Sequence, residues 1–177
     1  MLKIAIPKRE LYDDSANRFI YLEGGELVLE HSLYAISKWE EKWHKPYTLN
    51  NKTPEEAIDY VRCMIVGDDT SNIYKNITKE NSEEINAYIN DPMTATWFKD
   101  IKKGGSKEIV TAEIVYYWMI MNDIPFECQY WHFNKLMALI RVCGEKNAPQ
   151  KKMSKKDILR QQSDLNAQRR KQLHSKG

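Results

Sequence analysis

The chain begins with apolar side chains at every second position, a period of two that predicts a short β-strand. In the first strand, Leu2, Ile4 and Ile6 are each separated by a single residue. The predicted strands cover residues 2–6, 18–23 and 26–30. The adjacent Gly24 and Gly25 can supply the positive φ of a two-residue hairpin turn. We therefore expect a small antiparallel sheet in which the second and third strands pair.

Beyond residue 31 the apolar positions recur at intervals of three and four, which is the period of an amphipathic helix. Ile36 and Trp39 share one such face. A later segment begins with a capping box, in which Thr53 and Glu56 satisfy each other's backbone N–H groups and Pro54 takes the first helical position. The pattern predicts helices over residues 32–45, 54–65, 82–90, 109–123 and 125–143, and a last helix from 154 onward.

Residues 109–123 are apolar on nearly every side, which is typical of a helix surrounded by other elements. Pro125 favours the start of the next helix, and Gly144 favours its C-terminal cap. These two helices are expected to form a hairpin at the centre of the core. Trp118 and Trp131 are accordingly predicted to be buried packing residues.

Together these elements predict a mainly α fold with a small N-terminal antiparallel β-sheet, which is the α+β class. The 177 residues suffice for one domain of roughly 150 residues and an appendage. The predicted division is a globular body at 1–144 (sheet 1–30, helices 31–144), a linker at 145–153 and a helical arm at 154–177. The arm has few apolar positions, so we expect its helix to gain stability only by docking on the body or on a partner.

Charge divides the chain near the same place. Residues 151–177 carry nine Lys or Arg and two Asp, a balance of +7, whereas the first 150 residues balance to −5. The total of +2 hides this contrast. Like charges on a short segment repel one another unless an acidic partner or solvent accommodates them. Residues 154–177, called the basic arm below, are therefore predicted to be an interaction segment.

Sequence motifs for catalysis are missing, since the chain contains no GxSxG, GxGxxG, Walker A or HExxH pattern. Cys128 and His132 have a spacing that suits two ligands of one metal, but a zinc site needs about four ligands and no second pair occurs. We expect no enzyme activity, no metal and no cofactor. The three cysteines lie in apolar helical segments, which favours free thiols over disulfides.

Targeting signals are also missing. No stretch reaches the roughly 20 apolar residues of a membrane span, and the N-terminus lacks the apolar run and cleavage site of a signal peptide. We therefore expect a cytosolic protein that does not enter the membrane.

Two kinds of partner suit the basic arm. It docks on an acidic protein surface, or it neutralises the phosphates of a nucleic acid. Because the arm lacks the aromatic side chains on which single-stranded bases stack, we prefer a protein partner. The candidate partner-binding residues are Lys151, Lys152, Lys155, Lys156, Ile158, Arg160, Leu165, Arg169, Arg170 and Lys171.

A series of segments along the chain resembles a family of small proteins from tailed bacteriophages and prophages. The segments are HSLYAISKWEEKWHKPY at 31–47, DYVRCM at 59–64, DPMTAT at 91–96, TAEIVYYWMI, IPFECQYWHFNKLMALIRVC, KKMSKKDI and LNAQRRK. Members of this family look like tail assembly chaperones, which bind the tape measure protein and keep it soluble while tail subunits polymerise around it. The resemblance implies this role, and with it a location in the host cytoplasm and the tape measure or other tail proteins as partners.

Other functions remain open from the sequence. The main alternative is a structural virion protein, such as a head-tail connector or tail component, whose arm threads between neighbouring subunits in the particle. A further alternative is a nucleic-acid-binding accessory protein. The many aromatic residues also suit self-association across a subunit interface.

Overall fold

The computed structural model of the chain describes residues 1–14, 17–49, 51–67, 73–98, 109–147 and 155–173. The strands are β1 (Leu2–Ile6), β2 (Arg9–Asp13), β3 (Arg18–Leu22) and β4 (Gly25–Leu29). The helices are α1 (Leu33–Trp43), α2 (Pro54–Met64), α3 (Lys79–Asn90), α4 (Ala112–Met121), α5 (Phe133–Asn147) and α6 (Lys155–Gln172). This element order confirms the α+β class. The chain divides into two compact units, Met1–Glu145 and Lys146–Gly177.

The four strands form one long antiparallel ribbon with an interruption in the middle. β1 pairs with β4, and β2 pairs with β3. Leu2 opposes Leu29 and Arg9 opposes Leu22, so the two halves of the ribbon share a single register. The inner half, β1 and β4, packs its apolar face into the core, whereas no described side chain of the outer half is buried.

The predicted pairing of residues 18–23 with 26–30 is wrong, and the strand β2 was missed. Neither Gly24 nor Gly25 adopts a positive φ, because these residues do not form a turn. A Cβ atom at Gly24 would lie 2.5 Å from the carbonyl oxygen of Ile6 and 2.6 Å from the amide nitrogen of Lys8. Glycine is thus required here for the close approach of the opposite strand where the ribbon is interrupted.

Local capping signals set the starts of the first three helices. In α1, Ser32 Oγ accepts a hydrogen bond from the amide of Ala35 at 3.2 Å. The predicted capping box of α2 is confirmed, since Thr53 and Glu56 exchange side-chain to backbone hydrogen bonds of 3.2 and 2.8 Å. α3 begins before the predicted residue 82, because Thr78 forms a second capping box.

The central helical hairpin differs from the prediction. Pro125 precedes a short 3₁₀ helix, Phe126–Tyr130, and α5 begins only at Phe133. Gly144 lies inside α5 rather than at its C-terminal cap, so the first residues of the predicted linker, 145–147, are helical. A single glycine in a helix is tolerated, because its cost of about 1 kcal/mol relative to alanine is offset by packing elsewhere in the helix.

The two tryptophans assigned to the core are less buried than predicted. Trp118 is half-buried, and Trp131 is 39% exposed at the junction between the 3₁₀ helix and α5. The ammonium of Lys135 lies 4.3 Å from the centre of the Trp131 ring. The tryptophan that does occupy the core is Trp39 of α1, which is 1% exposed and donates from Nε1 to the carbonyl oxygen of Glu56 at 2.8 Å.

A buried polar cluster joins the start of α1 to α2 and α5. His31 Nδ1 shares a 2.5 Å hydrogen bond with the hydroxyl of Tyr60, and its ring meets His132 edge-on. The amide of Phe133 donates to the carbonyl oxygen of His31 at 2.6 Å. Burial, with smaller contributions from His132 and Lys52, lowers the pKa of His31 to about 3. His31 is therefore neutral in the folded protein at neutral pH.

Replacement of Trp39 by alanine is expected to lower the free energy of unfolding by about 3 to 5 kcal/mol, because it removes a large buried side chain. The matched control is Trp97→Ala, since Trp97 is 97% exposed. Its effect should stay within about 0.5 kcal/mol. Urea denaturation followed by circular dichroism measures both values, and equal losses would contradict the packing described for Trp39.

Stability should fall as the pH drops from 6.5, the ordinary pKa of histidine, towards 3, because the unfolded chain binds a proton at position 31 that folded His31 does not. When the pH is lowered from 7 to 5, the free energy of unfolding of the His31→Asn variant should decrease by about 1 to 2 kcal/mol less than that of the wild type. The control His44→Asn makes the same replacement at an exposed imidazole and tests whether the effect is specific to position 31. Identical slopes for all three proteins in denaturant titrations would argue against a neutral, buried His31.

Candidate interaction surface

One side of α4 is packed in the core and the other is apolar yet open to solvent. Ala112, Val115 and Met119 are buried. On the opposite side, Tyr117, Ile120 and Met121 are 57%, 58% and 62% exposed. The prediction that other elements surround this helix is therefore wrong.

Exposed aromatic side chains of α1 and the 3₁₀ helix lie close to Tyr116, which precedes Tyr117 on α4. The rings of Tyr34 in α1 and Tyr130 in the 3₁₀ helix lie 5.3 Å apart, and Phe126 lies 6.2 Å from the half-buried Tyr116. All the large apolar side chains that contribute are more than one-third exposed. The aromatic face, as we call this surface, consists of Tyr34, Tyr117, Ile120, Met121, Phe126 and Tyr130.

The turn after α4 places the 3₁₀ helix beside it. Asp123 adopts a left-handed backbone conformation with φ 52°, and the amide of Ile124 donates back to Met119 at 2.9 Å. Ile124 itself is buried. The hydroxyl of Tyr116 then donates to the side-chain oxygen of Gln129 at 2.8 Å, which ties α4 to the 3₁₀ helix. The aromatic face is thus supported by a fixed turn.

The chemistry of the aromatic face suits protein binding. Large exposed apolar patches are uncommon on monomeric proteins and commonly mark interaction sites. Tyrosine, phenylalanine and methionine are enriched at such sites, where rings bury much area at little cost in side-chain entropy. Exposed carboxylates at Glu113, Asp123 and Glu127 lie on the same segments. A partner with apolar side chains and some basic residues fits this surface.

The partner-binding residues predicted from sequence belong to the second unit. Arg160, Leu165, Arg169 and Arg170 are exposed on α6. The side chains of Lys155, Lys156, Ile158 and Lys171 lie outside the described part, although their backbones are helical. Lys151 and Lys152 lie outside the described residues altogether. The aromatic face was not predicted, since a helix with apolar residues on every side has no periodicity that could identify an exposed side.

Cys128 and His132 do not share a helix. Cys128 lies in the 3₁₀ helix, and His132 precedes α5, with its Nε2 3.0 Å from the carbonyl oxygen of Tyr88. Burial raises the pKa of the thiols of Cys63 and Cys128, so both are protonated at neutral pH. Among the described residues, no three His, Cys, Asp or Glu side chains converge as a metal site would require.

In the part of the chain that the structure describes, no helix has the length and apolar character to cross a membrane. Comparison with protein-family models, curated proteins and solved structures finds no match to the chain. Functional inference therefore rests on the surfaces themselves and on the resemblance seen in the sequence.

Adjacent residues of α4 provide a direct test of the exposed side. Met119→Ser should lower the free energy of unfolding by about 2 to 5 kcal/mol, because Met119 is fully buried. Ile120→Ser, the matched control one position later, should cost less than about 1 kcal/mol. Chemical denaturation measures both. A larger loss for Ile120→Ser than for Met119→Ser would show that the orientation of α4 is reversed.

Proposed function

We propose that the protein is a tail assembly chaperone of a tailed bacteriophage, which binds the tape measure protein and promotes tail assembly in the host cytoplasm. The observation that carries this proposal is the aromatic face, an apolar surface that is exposed to solvent on a well-packed body. The sequence resemblance to tail assembly chaperones points to the same role.

A surface of this kind suits a helical client. An amphipathic helix docks by laying apolar side chains at every third or fourth position onto an apolar surface. Tyr117 and Ile120 are three residues apart on α4 and expose rings and methyl groups along its length. A long helical chain that would otherwise aggregate can bury its apolar stripe there, which keeps it soluble until tail subunits replace the chaperone.

The basic arm would supply a second contact. Its helix α6 exposes the described side chains from 159 to 170, including Leu159 and Leu165. A helix of this composition is marginal on its own in water, so it gains stability when a partner covers its leucines. Arginines at 160, 169 and 170 add attraction to an acidic partner and raise the association rate.

A binding role also agrees with the use of the buried ionisable groups. The carboxylate of Glu56 is bound by the ammonium of Lys45 and by the amide of Thr53. The carboxylate of Asp59 accepts from Lys42 at 2.7 Å and from Trp43 at 2.8 Å. Groups held in this way stabilise the fold and are not poised to transfer protons to a substrate. We therefore propose a protein without enzyme activity.

Co-expression with the tape measure protein from the same genome tests the proposal. Wild-type protein should keep the tape measure in the soluble fraction. The double variant Tyr117→Ser with Ile120→Ser should fold but reduce the amount of soluble tape measure at least about threefold. Each substitution removes one apolar side chain from the docking surface and should weaken the binding free energy by about 1 kcal/mol or more. The matched control Trp97→Ser removes an exposed ring that is not among the residues of the aromatic face, and it should keep the tape measure soluble as the wild type does.

The same experiment separates the alternatives. Changing Lys155, Lys156, Arg169 and Arg170 to Glu tests the basic arm, and loss of tape measure solubility without unfolding is expected. If wild-type protein does not solubilise the tape measure, the chaperone role is wrong. If the protein is also found in purified particles by mass spectrometry, it is a structural component. Strong, salt-sensitive binding of duplex DNA that persists in the Leu165→Ser variant would instead show that the basic arm binds the phosphates of a nucleic acid.

A further inference from the structure

The outer half of the ribbon, formed by β2 and β3, exposes an unusual amount of apolar surface for a two-stranded element. Leu11, Tyr12, Phe19, Ile20 and Tyr21 are between 37% and 68% exposed. Among the described residues, β2 and β3 pair with each other and with no further strand. Two-stranded elements gain little stability by themselves in water, so an additional strand or a covering surface would stabilise the outer half.

The register gives the outer half two distinct faces. Leu11 opposes Ile20 and Tyr12 opposes Phe19, and opposed residues lie on the same side of an antiparallel pair. One face is therefore aliphatic. The other is aromatic, and the rings of Tyr12 and Phe19 meet edge-on with centres 5.0 Å apart. Each outer edge also presents unpaired backbone N–H and C=O groups, which are a template for a further strand.

The charges on this element argue against a nucleic-acid partner. Lys8, Arg9 and Arg18 are offset by Glu10, Asp13, Asp14 and Glu23. A phosphate-binding ribbon needs a clear excess of positive charge. Basic residues occur at the start of β2 and acidic ones at its end, so an antiparallel copy of β2 places opposite charges side by side.

We propose that β2 pairs with β2 of a second copy of this chain, antiparallel and centred on Leu11, so that a four-stranded sheet joins two protomers. In this register Leu11 opposes its own counterpart. Arg9 then stands opposite Asp13 of the other copy, and Lys8 stands opposite Asp14. Two-fold symmetry repeats each pairing, so the contact is self-complementary.

Neighbouring registers are less favourable for identifiable reasons. A shift that centres the pair on Glu10 brings two carboxylates of Glu10 together, and one that centres it on Tyr12 sets Glu10 against Asp14. Like charges directly opposed are destabilising. A shift by one residue would join the aliphatic face of one copy to the aromatic face of the other. Centring on Leu11 keeps each face continuous across four strands.

Charge reversal at Lys8 and Asp14 tests both the pairing and its register in the full-length protein. Analytical ultracentrifugation of the wild type should show a concentration-dependent dimer. In the proposed register, Lys8→Glu places a glutamate opposite Asp14 of the other copy. Asp14→Lys places a lysine opposite Lys8 of the other copy. Each variant should raise the dimer dissociation constant roughly tenfold, because two exposed ion pairs become repulsions.

An equimolar mixture of the two variants tests whether position 8 of one copy faces position 14 of the other. In the mixed dimer both symmetry-related positions again carry opposite charges, so its dissociation constant should return to within about threefold of the wild type. The matched control is Lys3→Glu, which breaks the exposed ion pair of Lys3 with Glu26 on the inner half of the ribbon. Lys8→Glu breaks an equivalent exposed ion pair, that of Lys8 with Glu23. This control should dimerise like the wild type.

Three results would overturn the proposal. They are a wild type that stays monomeric at all concentrations, a mixture that associates no better than its components, and a Lys3→Glu variant as weak as the other two. The proposed dimer does not depend on the chaperone role. The Tyr117→Ser and Ile120→Ser changes should leave dimerisation intact. Lys8→Glu should leave the fold and the aromatic face unchanged.

Discussion

Glu56 is the residue on which the packing of α1 against α2 depends. Its carboxylate accepts from the amide of Thr53 to start α2 and binds the ammonium of Lys45 beyond the end of α1. Its backbone oxygen receives the indole N–H of Trp39. The hydrogen bond from Lys45, followed by that from the backbone of Thr53, lowers the pKa of Glu56, so the carboxylate stays ionised although its side chain is buried. One residue thus caps a helix, pairs a cation and anchors the largest core side chain.

Glu40 plays a similar part between α1 and α4. Its buried carboxylate accepts from the amide of Tyr47 at 2.6 Å and from the amide of Ala112 at 2.7 Å. The second contact satisfies a backbone donor at the start of α4, where the N-terminal N–H groups of a helix have no partner within the helix. This contact ties the start of α4 to α1. With Val115 and Met119 turned inward, Tyr117 and Ile120 are necessarily exposed.

The described residues present three surfaces, and each has a different physical character. The aromatic face is apolar and rests on a fixed turn. The outer half of the ribbon offers open strand edges with self-complementary charges. The basic arm carries exposed arginines and leucines on a helix that is weak alone. An assembly protein that binds a long client can use all three together, because several weak contacts raise the overall affinity while each remains reversible.

The sequence alone determined the features that depend on neighbouring residues. The α+β class could be predicted because the period of the apolar positions distinguishes strands from helices. The start of α1 near Ser32 and the capping box of α2 could be predicted because each relies on hydrogen bonds that span a few positions. Tertiary structure decided the rest. Strand pairing joins residues far apart, and the glycines at 24 and 25 suit a hairpin turn as well as a close crossing. α4 is apolar all round, so its tertiary contacts with α1 and with the 3₁₀ helix decide which side meets solvent. The aromatic face could not be found from sequence, since its exposure depends on contacts made by distant residues.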